Sequence, residues 1–223
     1  MRVRVENYQI FLFDFDGLLV NTEPYHFAAF KDACLEFGFA LSIDFSQYYR
    51  LVSEGRLFLK NFLIELFPEI ASCWEALYEK KERLYHNLLV KGSPQLMPGA
   101  ASLIERICME EKTSVLVTNS SGRFVDKVAE EHPVLQKLSF RIVREDYSRP
   151  KPYPDAYELA YSRYVSSNDR VVGFEDSIKG VQALSCIDAD IVCVNKDHSI
   201  DKTTLAHKKG GRFYQLRSLE EVG

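Results

Sequence analysis

The stretch Ile10-Phe11-Leu12-Phe13-Asp14-Phe15-Asp16-Gly17 decides how the rest of the chain is read. Four apolar residues in a row, with no polar alternation, describe a strand covered on both faces, as in a parallel sheet. Two aspartates two residues apart follow at once, and Gly17 lets the chain turn away without a Cβ penalty. Carboxylates so placed converge on one small volume. Asp14 is a candidate nucleophile, because a carboxylate attacks phosphorus and holds it as an acyl phosphate. Asp16 is a candidate general acid and base. A polar strand end leading into a turn is the plainer alternative. A calcium loop also opens with D-x-D-G, but it requires Glu at the twelfth position, where Tyr25 stands when Asp14 is the first.

Outward from this stretch, similar apolar runs recur: Ser114-Val115-Leu116-Val117, Phe140-Arg141-Ile142-Val143, Val171-Val172-Gly173-Phe174 and Asp190-Ile191-Val192-Cys193-Val194. Helical patterns over 100–111, 122–131, 155–165 and 177–185 separate most of them. Alternation of this kind implies βαβ units, hence an α/β fold with a parallel, Rossmann-like sheet and helices on both faces. The segment between the first two strands breaks the alternation and reads as consecutive helices over 24–37, 53–67 and 73–89. It is taken as an inserted helical cap, residues 19–95, leaving 1–18 and 96–223 as the sheet domain. Turn residues cluster at its return, at Gly92-Ser93-Pro94 and Met97-Pro98-Gly99. The aromatics Tyr48-Tyr49 and those over 58–67 are read as cap core, with a substrate wall as the other possibility.

Three further segments bear chemistry at strand ends, where open α/β sheets bind their ligands. After Val115-Leu116-Val117 come Thr118-Asn119-Ser120-Ser121-Gly122. The Thr118 hydroxyl, Asn119 and the first free N–H groups of a helix suit phosphate, unless they form a plain helix cap. Lys151 lies in Arg149-Pro150-Lys151-Pro152-Tyr153-Pro154-Asp155, where prolines stiffen its backbone. It is either a fixed cation facing phosphate and Asp14 or a solvated loop lysine; Asp155 is read as the N-cap of the next helix. Glu175-Asp176, directly after a buried strand, offer oxygen ligands to a hard cation such as Mg²⁺, or else cap a helix with Ser177.

Composition is permissive. A formal net charge of −4 supplies no global attraction to nucleic acid or to an anionic membrane, so a phosphate site has to be built locally. No apolar run approaches the roughly 20 residues of a membrane span. Residues 1–9 are polar and charged, unlike a signal peptide. The five cysteines form no C-x-x-C pair, which fits reduced thiols in a cytoplasmic protein.

Taken together and in order, the four segments resemble the motif set of the haloacid dehalogenase superfamily: D-x-D, a strand-end Thr or Ser, a lysine and a final acidic pair. The resemblance spans nearly the whole chain. It implies that Asp14 is the nucleophile and, with Asp176, a magnesium ligand. By the same resemblance Asp16 gives its carbonyl to the metal and its side chain to proton transfer. Thr118 and Lys151 hold the transferring phosphoryl group, and Glu175 supports the metal. The expected partner is a small phosphorylated metabolite, and a cap of this size is expected to exclude water in a monomer.

The stretch Asp14-Phe15-Asp16-Gly17-Leu18-Leu19-Val20-Asn21-Thr22-Glu23-Pro24-Tyr25-His26-Phe27 is similar to the β-phosphoglucomutase-like branch, which includes small-sugar phosphatases. In the mutase a histidine at the place of His26 couples cap closure to the acid/base aspartate, and a cap lysine in the context of Lys81 contributes. A hinge histidine and a solvated helix lysine are the alternatives. The mutase also has a cap arginine for the distal phosphate; here Glu54 takes its ungapped place, and Arg56, two residues late, is kept with His26 and Lys81 as a candidate substrate-binding residue. Asn21 and Pro150 depart from an aspartate and a glycine usual in this branch, and neither removes a catalytic group. A monophosphate hydrolase is therefore expected ahead of a mutase or an idle ligand-binding domain. The dehalogenase branch lacks the second aspartate, and Asp16 is present.

Overall fold

In a computed structural model, residues 3–53, 56–195, 209 and 211–223 are described. The chain divides into two compact units, Met1–Asn21 with Gln95–Gly223, and Thr22–Pro94.

The first unit is built on a parallel sheet. Its strands are β1 (Ile10–Phe13), β2 (Thr113–Val117), β3 (Phe140–Ile142), β4 (Val171–Glu175), β5 (Asp190–Val194) and β6 (Phe213–Leu216). They lie in the order β3-β2-β1-β4-β5-β6, every neighbouring pair parallel. β1 sits centrally with all four residues buried, between β2 (Phe13 opposite Leu116) and β4 (Phe13 opposite Phe174). The chain departs to opposite sides of β1 here, which opens a crevice at the carboxyl ends of β1 and β4.

The helices of this unit are α5 (Ala100–Met109), α6 (Gly122–Glu131), α7 (Asp155–Tyr164) and α8 (Ile178–Leu184), numbered after the four of the second unit. Side chains of β1 alternate between the faces, as a strand's must. Ile10 and Leu12 join Ala156, Tyr157 and Ala160 of α7 and Val181, Ala183 and Leu184 of α8 in one core. Phe11, Phe13 and Phe174 stack on one another, with Phe13 and Phe174 centroids 5.0 Å apart. Burying each such ring is worth about 1.5–3 kcal/mol, so this sheet centre is a firm base for whatever its strand ends carry.

The sequence places the unit boundary after residue 18 and before 96; the structure keeps Leu19, Val20, Asn21 and Gln95 with the sheet. The reason is backbone pairing. Leu19 and Val20 N–H donate to Phe15 C=O, Asn21 N–H to Gln95 C=O, and Met97 N–H to Leu19 C=O. The outgoing and returning segments are thus tied to each other.

The second unit holds α1 (Glu23–Glu36), α2 (Phe45–Ser53), α3 (Arg56–Leu66) and α4 (Ile70–Lys91). The sequence reading starts one helix at Ser53, but Ser53 ends α2, a helix it does not anticipate. Glu54, the residue aligned with the mutase arginine, lies outside the described residues. Phe30, Ala33, Cys34, Tyr48, Leu59, Leu63, Trp74 and Leu77 form the core. Tyr48 packs against Phe27 and Phe30, as a core aromatic does. Phe58, by contrast, is exposed. Among the described residues no helix is long and apolar enough to cross a membrane.

Candidate active site

Asp14 follows β1, Thr118 follows β2, and Glu175 ends β4 with Asp176 next to it, so three strand ends deliver their side chains to one place. Its centre is Lys151. The ammonium donates to Asp14 Oδ1 at 2.7 Å, Glu175 Oε1 at 2.6 Å and Val117 C=O at 2.8 Å. Lys151 and Asp14 are almost fully buried and Glu175 is completely so. Burial works against the lysine's charge, but Asp14 and Glu175 together outweigh it and hold its pKa above the ordinary value. Glu175 is pushed up as well, to about 7, by burial first and then by the Asp14 charge, which for a carboxylate favours the neutral form; Lys151 opposes the shift.

Asp14, Glu175 and Asp176 each place an oxygen within 4.8 Å of the others. Glu175 Oε2 is buried and has no hydrogen-bond partner among the described residues. A buried carboxylate oxygen left open is costly unless a ligand completes it. Three hard carboxylates, one with an orphaned oxygen, fit a divalent cation such as Mg²⁺. Two glycines make room for them. Gly17 turns at φ +79°, and a Cβ there would stand 2.1 Å from Asp176 Oδ2. A Cβ on Gly180 would stand 1.8 Å from Glu175 Oε2.

Asp16 is held differently. Ser120 Oγ donates to its Oδ2 at 2.6 Å and Thr118 Oγ1 at 3.3 Å, while Thr118 Oγ1 accepts from Ser120 N–H at 2.9 Å. Its pKa is raised, mainly by burial and next by Asp14, against the lowering effect of these hydroxyls and of Lys151. A carboxyl so tuned is suited to giving and taking a proton. Asn119 joins the two loops: its Oδ1 accepts from Lys151 N–H at 3.0 Å and stands 2.7 Å from Tyr147 Oη, which donates to Thr118 C=O at 2.8 Å. Ser121 and Ser177 are the N-caps of α6 and α8. Asp155 is not a cap. It lies inside α7, and its carboxylate takes the Arg149 guanidinium at 2.7 Å.

The model of the family described as "Haloacid dehalogenase-like hydrolase" matches residues 11–194, a span that holds every strand-end group just described. The chain belongs to that family. Among curated relatives, it is 24% identical to a "Phosphorylated carbohydrates phosphatase" of Thermotoga maritima, over 77% of this chain and 78% of that one. It is 27% identical to a "Beta-phosphoglucomutase" of Mycobacterium bovis, over 77% and 75%. The crystal structure of CbbY from Rhodobacter sphaeroides in complex with phosphate shares the fold, with TM-score 0.63, 22% identity and coverage of 97% and 96%.

In this haloacid dehalogenase-like chain the helical unit carries a second polar cluster. Lys81, readable as a solvated position in the charge run Glu79-Lys80-Lys81-Glu82-Arg83, is only 3% exposed. The periodicity gives the signal: Trp74, Leu77, Lys81, Tyr85 and Leu89 form the buried stripe of α4. Lys81 Nζ lies 2.7 Å from His26 Nδ1 and 3.0 Å from Glu82 Oε1. The His26 ring stacks on Tyr85 with centroids 3.7 Å apart. Burial, then the Lys81 charge, lowers the His26 pKa well below its usual value, so the ring is neutral and its Nδ1 accepts from the ammonium. Arg56 is engaged within the same unit. Its guanidinium pairs with Glu75 at 2.8 Å and stacks 3.8 Å over Tyr78.

Ser120 and Tyr157 are the site-shaping residues that the motifs do not single out. Ser120 was within reach, because it follows Thr118 at a helix start. Tyr157, whose hydroxyl lies 2.5 Å from Glu175 Oε1, carries no motif signal and is found only when α7 is packed on the sheet.

Proposed function

We propose that the protein is a magnesium-dependent phosphatase of a small phosphate monoester, working through an aspartyl-phosphate on Asp14. The observation that carries the reading is the placement of Lys151 Nζ 2.7 Å from Asp14 Oδ1 beside the Asp14–Glu175–Asp176 cluster. Asp14, Glu175 and Asp176, with the carbonyl of Asp16 by family resemblance, are the residues to hold Mg²⁺. The bound ion would offset the charge of the phosphoryl oxygens next to the Asp14 carboxylate.

In the first step an Asp14 oxygen forms a bond to phosphorus while the phosphorus–alkoxide bond breaks. Asp16, protonated, gives its proton to the leaving oxygen. In the second step Asp16, now ionised, takes a proton from water as the water oxygen attacks phosphorus. Phosphate leaves and Asp14 is regenerated. Lys151 keeps Asp14 oriented and neutralises phosphoryl charge, and Thr118 and Asn119 border the same volume. Positioning and charge neutralisation carry most of such a reaction. His26 and Lys81 are the helical unit's proposed contributors to substrate binding. Arg56, held by Glu75 and Tyr78, supports hydrolysis over a mutase that needs a free cation for a second phosphate.

The test is phosphate release from a panel of small esters, with and without Mg²⁺, in wild type and Asp14→Asn. Magnesium-dependent release that vanishes in the variant is the expected result. Turnover retained in Asp14→Asn overturns the mechanism. Isomerisation of β-glucose 1-phosphate that requires the 1,6-bisphosphate, with little phosphate freed, would make the protein a mutase instead.

A further inference from the structure

Tyr157 lies in the first turn of α7, fully buried, and a buried phenol keeps its hydroxyl only with a partner. That hydroxyl donates to Glu175 Oε1 at 2.5 Å and stands 3.3 Å from Lys151 Nζ. The ammonium has three protons and faces four acceptors: Asp14 Oδ1, Glu175 Oε1, Val117 C=O and the Tyr157 hydroxyl. The lysine alone is therefore a divided partner for Glu175. The tyrosine gives Oε1 a second donor, and among the described residues no other acceptor competes for it. On its other side the carboxylate presses on Gly180, where even a Cβ would stand 1.8 Å from Oε2. One oxygen is gripped and the other, Oε2, has no hydrogen-bond partner among the described residues.

We propose that Tyr157 is a positioning residue for the cation site. By fixing Oε1 on the lysine side it divides the labour of the Glu175 carboxylate, Oε1 to Lys151 and Oε2 to the metal. The proposal rests on the magnesium reading above. Without the hydroxyl, both oxygens of Glu175 compete for the lysine, and the cation loses a fixed donor. A phenylalanine keeps the ring, which lies 4.8 Å from Lys151 Nζ, so the effect falls on metal affinity more than on folding.

Calorimetric titration of Mg²⁺ into the metal-free protein tests this directly, with wild type, Tyr157→Phe and Tyr153→Phe compared. Tyr153 is half exposed and serves as the control. The expected result is a Kd about tenfold weaker in Tyr157→Phe, the usual scale for losing an outer-shell partner, and unchanged in Tyr153→Phe. In a Glu175→Gln background the tyrosine change should add nothing, because no ionised Glu175 is left to orient. Equal affinity in wild type and Tyr157→Phe, or a full tenfold loss on top of Glu175→Gln, overturns the proposal. Wild-type protein that takes up no Mg²⁺ at all overturns the metal reading itself, and this inference with it.

Discussion

Ser120 Oγ donates to Asp16 Oδ2 at 2.6 Å, so the residue read as the acid and base is oriented by a hydroxyl from the loop that also carries Thr118. The bond favours the ionised carboxylate and lowers a pKa that burial and Asp14 raise. Removing it in Ser120→Ala should raise the Asp16 pKa further. A hydrogen bond to a charged group is worth about 1.5–3 kcal/mol, which converts to a shift of about one to two units. The limb of the pH–rate profile that reports ionisation of Asp16 should move to higher pH by that amount, and Ser120→Thr should restore it. An unmoved profile in Ser120→Ala would show that Ser120 only packs the loop.

Among the described residues, Lys151 is the one cation paired with the buried carboxylates Asp14 and Glu175, at 2.7 and 2.6 Å. Lys151→Met should abolish turnover and destabilise the metal-free protein by about 3–5 kcal/mol, the usual consequence of stranding buried charge. Part of that loss should return on acidification, because Glu175 escapes the repulsion by taking a proton. Urea unfolding at two pH values reads both effects. A variant as stable as wild type at neutral pH would mean that water reaches the carboxylates and screens them.

Gly180 is a packing partner of Glu175, so its role is testable without touching a charged group. Gly180→Ala should cost about 1–3 kcal/mol by overpacking and should also weaken Mg²⁺ binding, because Glu175 is the side chain that must move. Combined with Glu175→Ala, the same change should cost almost nothing, since its obstacle is gone. Equal cost in both backgrounds would place the clash elsewhere in α8.

The site's backbone was legible in the sequence because each motif is local: an apolar run followed at once by Asp14, Thr118 or Glu175. The same locality explains what was not legible. Tyr157 meets Glu175, and Lys81 meets His26, only through helix packing that no short window of sequence encodes. Lys81 sits in a run of charges that suggests solvent, and only its spacing to Leu77 and Tyr85 places it on the buried stripe. β6 is hard to read in the sequence for another reason. An edge strand with Gln215 exposed and Phe213, Tyr214 and Leu216 half-buried lacks the continuous apolar run of β1. The unit boundary is hard to read because hydrogen bonds between the outgoing and returning segments, unlike composition, leave no mark in either segment alone.

His26 gives the helical unit a pH dependence with a definite sign. Its folded pKa lies below the ordinary 6.5, through burial first and the Lys81 charge second. Above 6.5 the ring is neutral folded and unfolded, and its contribution to stability is fully present. As pH falls below 6.5 the unfolded chain binds a proton that the folded state refuses, and stability drops by up to about 1.4 kcal/mol per pH unit until the folded pKa is reached. Trp74, the single tryptophan, is buried in the core of this unit and reports its unfolding by fluorescence. Between pH 7.5 and 5.5 wild type should lose on the order of 1 kcal/mol more than His26→Asn, which has no proton to bind. The same loss in both proteins would mean that His26 takes up its proton while folded, and that the Lys81 ammonium does not occupy Nδ1.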